Sequence, residues 1–214
     1  MKFQLSSLLF GLAASIVSAQ DTNQTGPFYL QIVGQQNSSI VGYALSCHTG
    51  AALEGLCYRA GQVPDTNAQS YQYWFNYTGY TTVDDAQVGQ LIWKLPYTGG
   101  NGGSGLLPQV LSLENSVNSN VASTNFGFSG SCSQGLSVGF DADGKLFSWA
   151  YIDDSTFTPG TNPFPSGVGK AYYQWYVCWI YYSSYYYQAV AWASSTPPHN
   201  PTCQPVEIRQ VFPS

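Results

Sequence analysis

Apolar and polar residues alternate with a period of two along nearly the whole of this chain, and that period admits few folds. FYLQIV (28–33), IVGYALSC (40–47), YQYWFNYT (71–78), QLIWKLP (90–96), LSLEN (111–115), NFGFS (125–129), LSVGFDA (136–142), KLFSWAY (145–151), YYQWYVCWIYY (172–182), YYYQAVAWA (185–193) and VEIRQVF (206–212) all read as strands. They are rich in Tyr, Trp, Phe, Val and Ile, and Gly, Pro, Asn and Ser separate them. Short strands joined by polar turns predict an all-β, antiparallel domain: a two-sheet sandwich or a closed Greek-key barrel, with a β-trefoil as the alternative. Only GAALEGL (50–56) has helical character.

The punctuation places several joints. Residues 34–39 turn the first hairpin, and Asp141-Ala-Asp143-Gly144-Lys145 forms a tight turn with Gly144 at a left-handed position. The glycine-rich stretch 99–105 separates strands of the same character, so it reads as a loop within one domain covering residues 20–214. Residues 155–169 form a second loop, stiffened by Pro159, Pro163 and Pro165.

The first nineteen residues have another character. Lys2 supplies a positive n-region, 8–17 (LLFGLAASIV) is an apolar run too short to span a bilayer, and Val17-Ser18-Ala19 ends it with small residues. This pattern predicts a secretory signal peptide over 1–19, cut before Gln20, and a soluble or wall-associated product outside the cell. Once Lys2 is removed, five scattered basic residues face eleven acids. A chain without a Lys/Arg cluster is a poor partner for nucleic acid or anionic membrane.

Five cysteines in an exported chain read first as disulfides. Two pairs suit the spacing, although sequence does not fix connectivity. Cys47–Cys57 closes the short loop HTGAALEGL, and Cys178–Cys203 ties an aromatic strand to the segment after a Pro-rich turn. Each is worth about 3 kcal/mol in chain entropy. Cys132 is left over, which leaves open a free thiol, a bond between chains or a different pairing. No Cys-x-x-Cys occurs and His48 and His199 are far apart, so neither a metal nor a cofactor is expected. Asn23, Asn37 and Asn76 head N-x-S/T sequons and are candidate glycosylation sites, which requires each to lie on the surface.

The densest pattern is the hairpin 172–193. With Ser183-Ser184 as its turn, Tyr182 faces Tyr185, Tyr181 faces Tyr186, Val177 faces Val190 and Trp175 faces Trp192. One face carries Trp175, Val177, Trp179, Tyr181, Val190 and Trp192. The other carries Tyr176, Cys178, Ile180, Tyr182, Tyr187 and Ala189. The hairpin is expected to be central, one face in the core and the other beneath the Cys203 segment. Trp175, Trp179, Tyr181, Tyr186 and Trp192 form a candidate ligand platform.

PFYLQIV, the Cys47–Cys57 loop with its His48 and Glu54, GQLIWKLP, GFDADGKLF, YIDD, YYQWYVCWIYY and NPTCQPVEIRQVF occur here in an order that resembles a family of small secreted proteins of filamentous fungi, a domain of unknown function. The closing pattern of Trp, Asn-Pro, Cys and two spaced valines is more loosely similar to fungal cell-wall proteins of spore-bearing cells. The resemblance implies a secreted, wall-located β domain without an established activity. It agrees with the two cysteine pairs above, and it does not include Cys132.

The carboxylates available for catalysis are Glu54, Asp84, Asp85, Glu114, Asp141, Asp143, Asp153, Asp154 and Glu207. Glycoside hydrolysis needs two convergent carboxylates, and Asp153-Asp154, ending a strand beside the Pro-rich loop, is the pair to test first. Asp84-Asp85 reads as a solvated turn, and Asp141 and Asp143 belong to their hairpin. An EF-hand needs Asp or Asn at loop position 5 and Glu at 12, where this chain has Lys145 and Ile152. His48 has no nucleophile motif around it. By contrast, six Trp and seventeen Tyr with few charges suit carbohydrate, since ring faces stack on sugars while hydroxyls and amides reach sugar hydroxyls. The sequence therefore predicts a non-enzymatic extracellular or cell-wall protein that holds polysaccharide on an aromatic surface. The alternatives are a glycan hydrolase and a secreted effector that binds a host protein through an apolar patch.

Overall fold

The computed structural model describes residues 23–50, 53–61, 68–99, 102–128, 135–152, 158–160, 169–182 and 184–213. Thirteen strands carry the architecture. They are β1 (Asn23–Gly34), β2 (Val41–Gly50), β3 (Leu53–Ala60), β4 (Tyr73–Val83), β5 (Ala86–Thr98), β6 (Ser104–Glu114), β7 (Val121–Phe128), β8 (Val138–Phe140), β9 (Leu146–Ala150), β10 (Lys170–Tyr172), β11 (Trp175–Tyr182), β12 (Tyr185–Ala193) and β13 (Gln204–Val211). Every pairing is antiparallel.

Hydrogen-bonded neighbours run from β1 through β4, β5, β6, β7, β3, β12, β11 and β13 back to β1, a closed ring of nine strands. Of the architectures expected from the sequence, the chain takes the barrel. The first and last strands close it, Tyr29–Gly34 of β1 lying against Val211–Val206 of β13. The other edge of β1 is divided between β4 (Asn23 to Phe28) and β2 (Gln31 to Val33). The β1–β4 ladder shifts between Thr25 and Phe28, where Pro27 has no N–H to donate. β8, β9 and β10 extend the sheet outward from β5.

Alternation fills the interior. Phe28, Leu30 and Ile32 of β1 point inward in turn, as do Leu91 and Trp93 of β5 and Val206 and Ile208 of β13. Buried indoles keep a partner: Trp93 Nε1 donates to Gln69 O at 3.0 Å and Trp175 Nε1 to Leu146 O at 2.9 Å.

GAALEGL is where the sequence expectation fails. Leu53–Ala60 is a strand, not a helical turn, and Leu53 to Ala60 pair with Gly50 to Gly42 of β2. Its other edge meets β7 at Glu54 and Gly55 and β12 at Cys57. Ladder bonds on two edges outweigh the few tenths of a kcal/mol per residue, roughly, by which Leu and Glu favour helix. Cys47 and Cys57 are bonded across this hairpin, and Cys178 to Cys203, as the spacing suggested. Cys132 lies outside the described residues.

β3, β7 and β12 meet three ways, since β12 also pairs with β7 from Ala191 to Ala193. Two residue types make the junction possible. A Cβ on Gly55 would lie 2.9 Å from Thr124 O, so only glycine permits the approach. The Thr124 hydroxyl, 2 % exposed, donates to Val190 O at 2.7 Å and lies 3.5 Å from Leu56 O. Thr124→Val keeps the shape and removes this donor. It should lower stability by about 1–3 kcal/mol in equilibrium urea unfolding, and an unchanged midpoint would show that the junction does not need the hydroxyl.

Candidate functional site

The hairpin β11–β12 has the register read from its sequence: Trp175↔Trp192, Val177↔Val190, Tyr181↔Tyr186 and Tyr182↔Tyr185, with Ser184 at φ 69° in the connection. Its neighbours do not extend as far as it does. β13 pairs with β11 only at Tyr176 and Val177, and β3 meets β12 only at Ala189. Next along β11, the Thr202 hydroxyl accepts from Trp179 N–H at 3.0 Å and the Asn200 amide donates to Trp179 O at 2.8 Å. Beyond that level, among the described strands, the hairpin pairs with itself alone.

This overhang changes what the alternation means. Val177 and Val190 are buried in the barrel, whereas two residues further along the same face Trp179 is 40 % exposed, Tyr181 73 % and Tyr186 67 %. Trp179 and Tyr186 are stacked, centroids 4.8 Å apart at 13°. The platform expected from the sequence therefore divides in two. Trp179, Tyr181 and Tyr186 form an exposed ledge. Trp175 is 1 % exposed, and Trp192 packs on it edge to face at 4.9 Å, so both belong to the core end of the hairpin. They sit where both strands still have neighbours.

The opposite face divides likewise. Tyr176, Cys178, Ala191 and Ala193 form a satellite core with Cys203. Further out, Ile180 and Tyr182 border an open groove of ≈ 340 Å³, with Glu114, the Ser116 and Ser119 hydroxyls, Ser123 and Asn200 along it and Tyr181 at its rim. Such a volume is at the small end of ligand sites, roughly 300–1,000 Å³. Glu114 is held by two donors, Tyr182 OH to Oε1 at 2.6 Å and Asn125 Nδ2 to Oε2 at 2.9 Å. Asn200 is delivered by a loop that Asn120 fastens: its amide donates to Ser195 O and Oγ and to Pro197 O, and its carbonyl accepts from His199 N–H at 2.7 Å.

Asp153 and Asp154 lie outside the described residues, as do residues 1–19. A second cavity of ≈ 370 Å³ brings Asp84 and Asp85 beside Asp141, which the sequence placed on separate turns. Asp141 is occupied by its own turn, as expected. Oδ1 accepts from the N–H groups of Asp143 and Lys145, and Oδ2 accepts from Tyr173 OH at 3.1 Å. Among the described residues no group of three or more His, Cys, Asp or Glu side chains could hold a metal. His48 rests edge-on against Tyr185 and 3.4 Å from Glu54. Asn23 is exposed, the Asn37 carbonyl accepts from the Ser39 N–H and hydroxyl, and half-buried Asn76 accepts from Gln24.

The turn at Asp141 is tied to β13 by Glu207, which accepts from Arg209 Nε at 3.1 Å and pairs with Lys145 at 3.2 Å. The Arg209 hydrogen bond holds the Glu207 carboxyl below its usual range. Desolvation, followed by the Asp141 hydrogen bond and charge, pushes the Tyr173 phenol up to about 12. A tyrosine with a raised folded pKa stabilises fully below its ordinary value near 10 and loses that contribution as pH climbs through 12. Absorbance titration should therefore show a late tyrosinate that Asp141→Asn moves earlier. An unchanged titration in the variant would remove Asp141 as a cause.

Two disulfides fit an extracellular protein, and among the described residues no helix is long and apolar enough to cross a membrane. No curated protein and no solved structure matches the chain. Residues 25–212 match one family, so the barrel, the aromatic overhang and its groove all fall within a shared domain. The chain belongs to the family described as Domain of unknown function (DUF7907).

Proposed function

We propose that this is an exported, non-catalytic protein of an extracellular matrix or cell wall, of the fungal type its sequence resembles, that holds polysaccharide on the β11–β12 overhang. The observation that supports this most is the exposure of Trp179, Tyr181 and Tyr186 together at the end of a rigid hairpin. Burying a large ring is ordinarily worth about 1.5–3 kcal/mol, and this ledge leaves Tyr181 and Tyr186 largely uncovered and Trp179 partly so. Flat rings meet the C–H faces of pyranoses, and the phenol hydroxyls and the groove's Ser and Asn groups suit the sugar hydroxyls at the edge.

A hydrolase reading needs two carboxylates roughly 5 Å apart for retention or 6.5–9.5 Å for inversion. Along the groove beside the rings, Glu114 is the carboxylate present, and its oxygens are engaged by Tyr182 and Asn125. In the second cavity Asp141 is committed to its turn, with Asp84 and Asp85 beside it. The single carboxylate among the described groove residues favours binding there over cleavage.

The test is retention of the mature protein on insoluble chitin, β-glucan and mannan, with release of reducing sugar followed in parallel. Trp179→Ala and Tyr181→Ala should each weaken retention about tenfold, the loss of a hot-spot ring worth about 1–2 kcal/mol. Their thermal midpoints should stay near wild type, because the rings are exposed. Retention by none of the polymers contradicts the reading. Sugar release abolished by Asp153→Ala or Asp154→Ala would replace it with the hydrolase.

A further inference from the structure

We propose that the groove beside the ledge selects sugars carrying a protonated amine, so that the preferred ligand is a deacetylated hexosamine polymer. This rests on the polysaccharide reading above and deepens it. The named groove residues are Glu114 and neutral groups, and Glu114 makes no ion pair with a described basic side chain. Among the described residues Glu207 is the acid ion-paired with Lys145 and Arg209, and Glu54 has the His48 imidazole at 3.4 Å. Tyr182 OH and the Asn125 amide orient the Glu114 carboxylate without neutralising it, and each oxygen keeps a lone pair for a further donor.

A second acceptor stands behind it. Asn125 is 5 % exposed, and its Oδ1 has no donor among the described residues. Its amide orientation is fixed, because the NH₂ end is spent on Glu114. Asn125 also lies on the same face of β7 as Val121 and Ser123, which line the groove. Glu114 is thus an exposed carboxylate without a basic partner, oriented by the buried Asn125 amide in a groove otherwise lined by neutral groups, and it asks for a cation that donates hydrogen bonds.

An ammonium supplies N–H donors and the compensating charge. A hydroxyl would donate one hydrogen bond but leave Glu114 charged and uncompensated. An N-acetyl group offers one N–H and no charge, and a uronate would be repelled. The groove therefore ranks amine-bearing chains above neutral ones, and neutral ones above acidic ones.

Calorimetry on the mature protein tests this with short glucosamine oligomers, N-acetylglucosamine oligomers of equal length and oligogalacturonate, at mildly acidic pH and moderate salt. The glucosamine oligomer should bind at least about tenfold tighter than its acetylated counterpart, the loss expected for one charge-assisted bond. Glu114→Gln should erase that preference. Asp85→Asn, which changes the net charge equally at the other cavity, should preserve it. Equal binding of the two oligomers, or a preference that survives Glu114→Gln, overturns the amine selection. If neutral oligomers still depend on Trp179, the polysaccharide reading stands without it. If no oligomer binds, both fall.

Discussion

Everything functional in this barrel follows from where the hydrogen-bonding partners of one hairpin run out. β12 is held on its outer edge by β3 and β7, and β11 by β13, up to the level of Val177 and Ala189. The sequence does not change character at that level. Residues on the core-facing side remain large and aromatic after the core has ended, so Trp179, Tyr181 and Tyr186 reach solvent. Strands that overhang a sheet usually blunt themselves with charge or proline. This one keeps rings, at a cost in apolar exposure for which the proposed binding role would account.

The base of the overhang is correspondingly rigid. Cys178–Cys203 anchors β11 to the segment before β13. Thr202 and Asn200 take up the Trp179 peptide groups, and Asn120 fixes the loop that carries them. On the opposite side, the Thr124 hydroxyl closes the junction of β3, β7 and β12. On the proposed polysaccharide reading, holding the ledge in place before contact reduces the freedom lost on binding. Asn200 serves both purposes, closing the strand edge and lining the groove.

The sequence was informative wherever local pattern decides the outcome. The β11–β12 register was legible because a two-residue turn fixes it and aromatic pairs support it, and the Asp141–Lys145 turn because Gly144 takes φ 74°. β3 was not legible, because its strand character comes from pairing on both edges, which Leu53-Glu54-Gly55 does not announce. The platform was half legible. Alternation gave the right face, but which rings are covered depends on where β3 and β13 end. Glu114 was legible only as one carboxylate among several, and its place in the groove was not, since its donors Asn125 and Tyr182 are 11 and 68 residues away in sequence.

Hydroxyl-radical footprinting of the mature protein, with and without soluble polysaccharide, tests the central claim most directly. The free protein should be labelled heavily at Trp179, Tyr181 and Tyr186 and hardly at Trp175, and saturating polysaccharide should protect those three rings. Unlabelled rings in the free protein would mean that the overhang is covered. Protection centred instead on the Asp84–Asp85 cavity would place the ligand elsewhere and contradict the account.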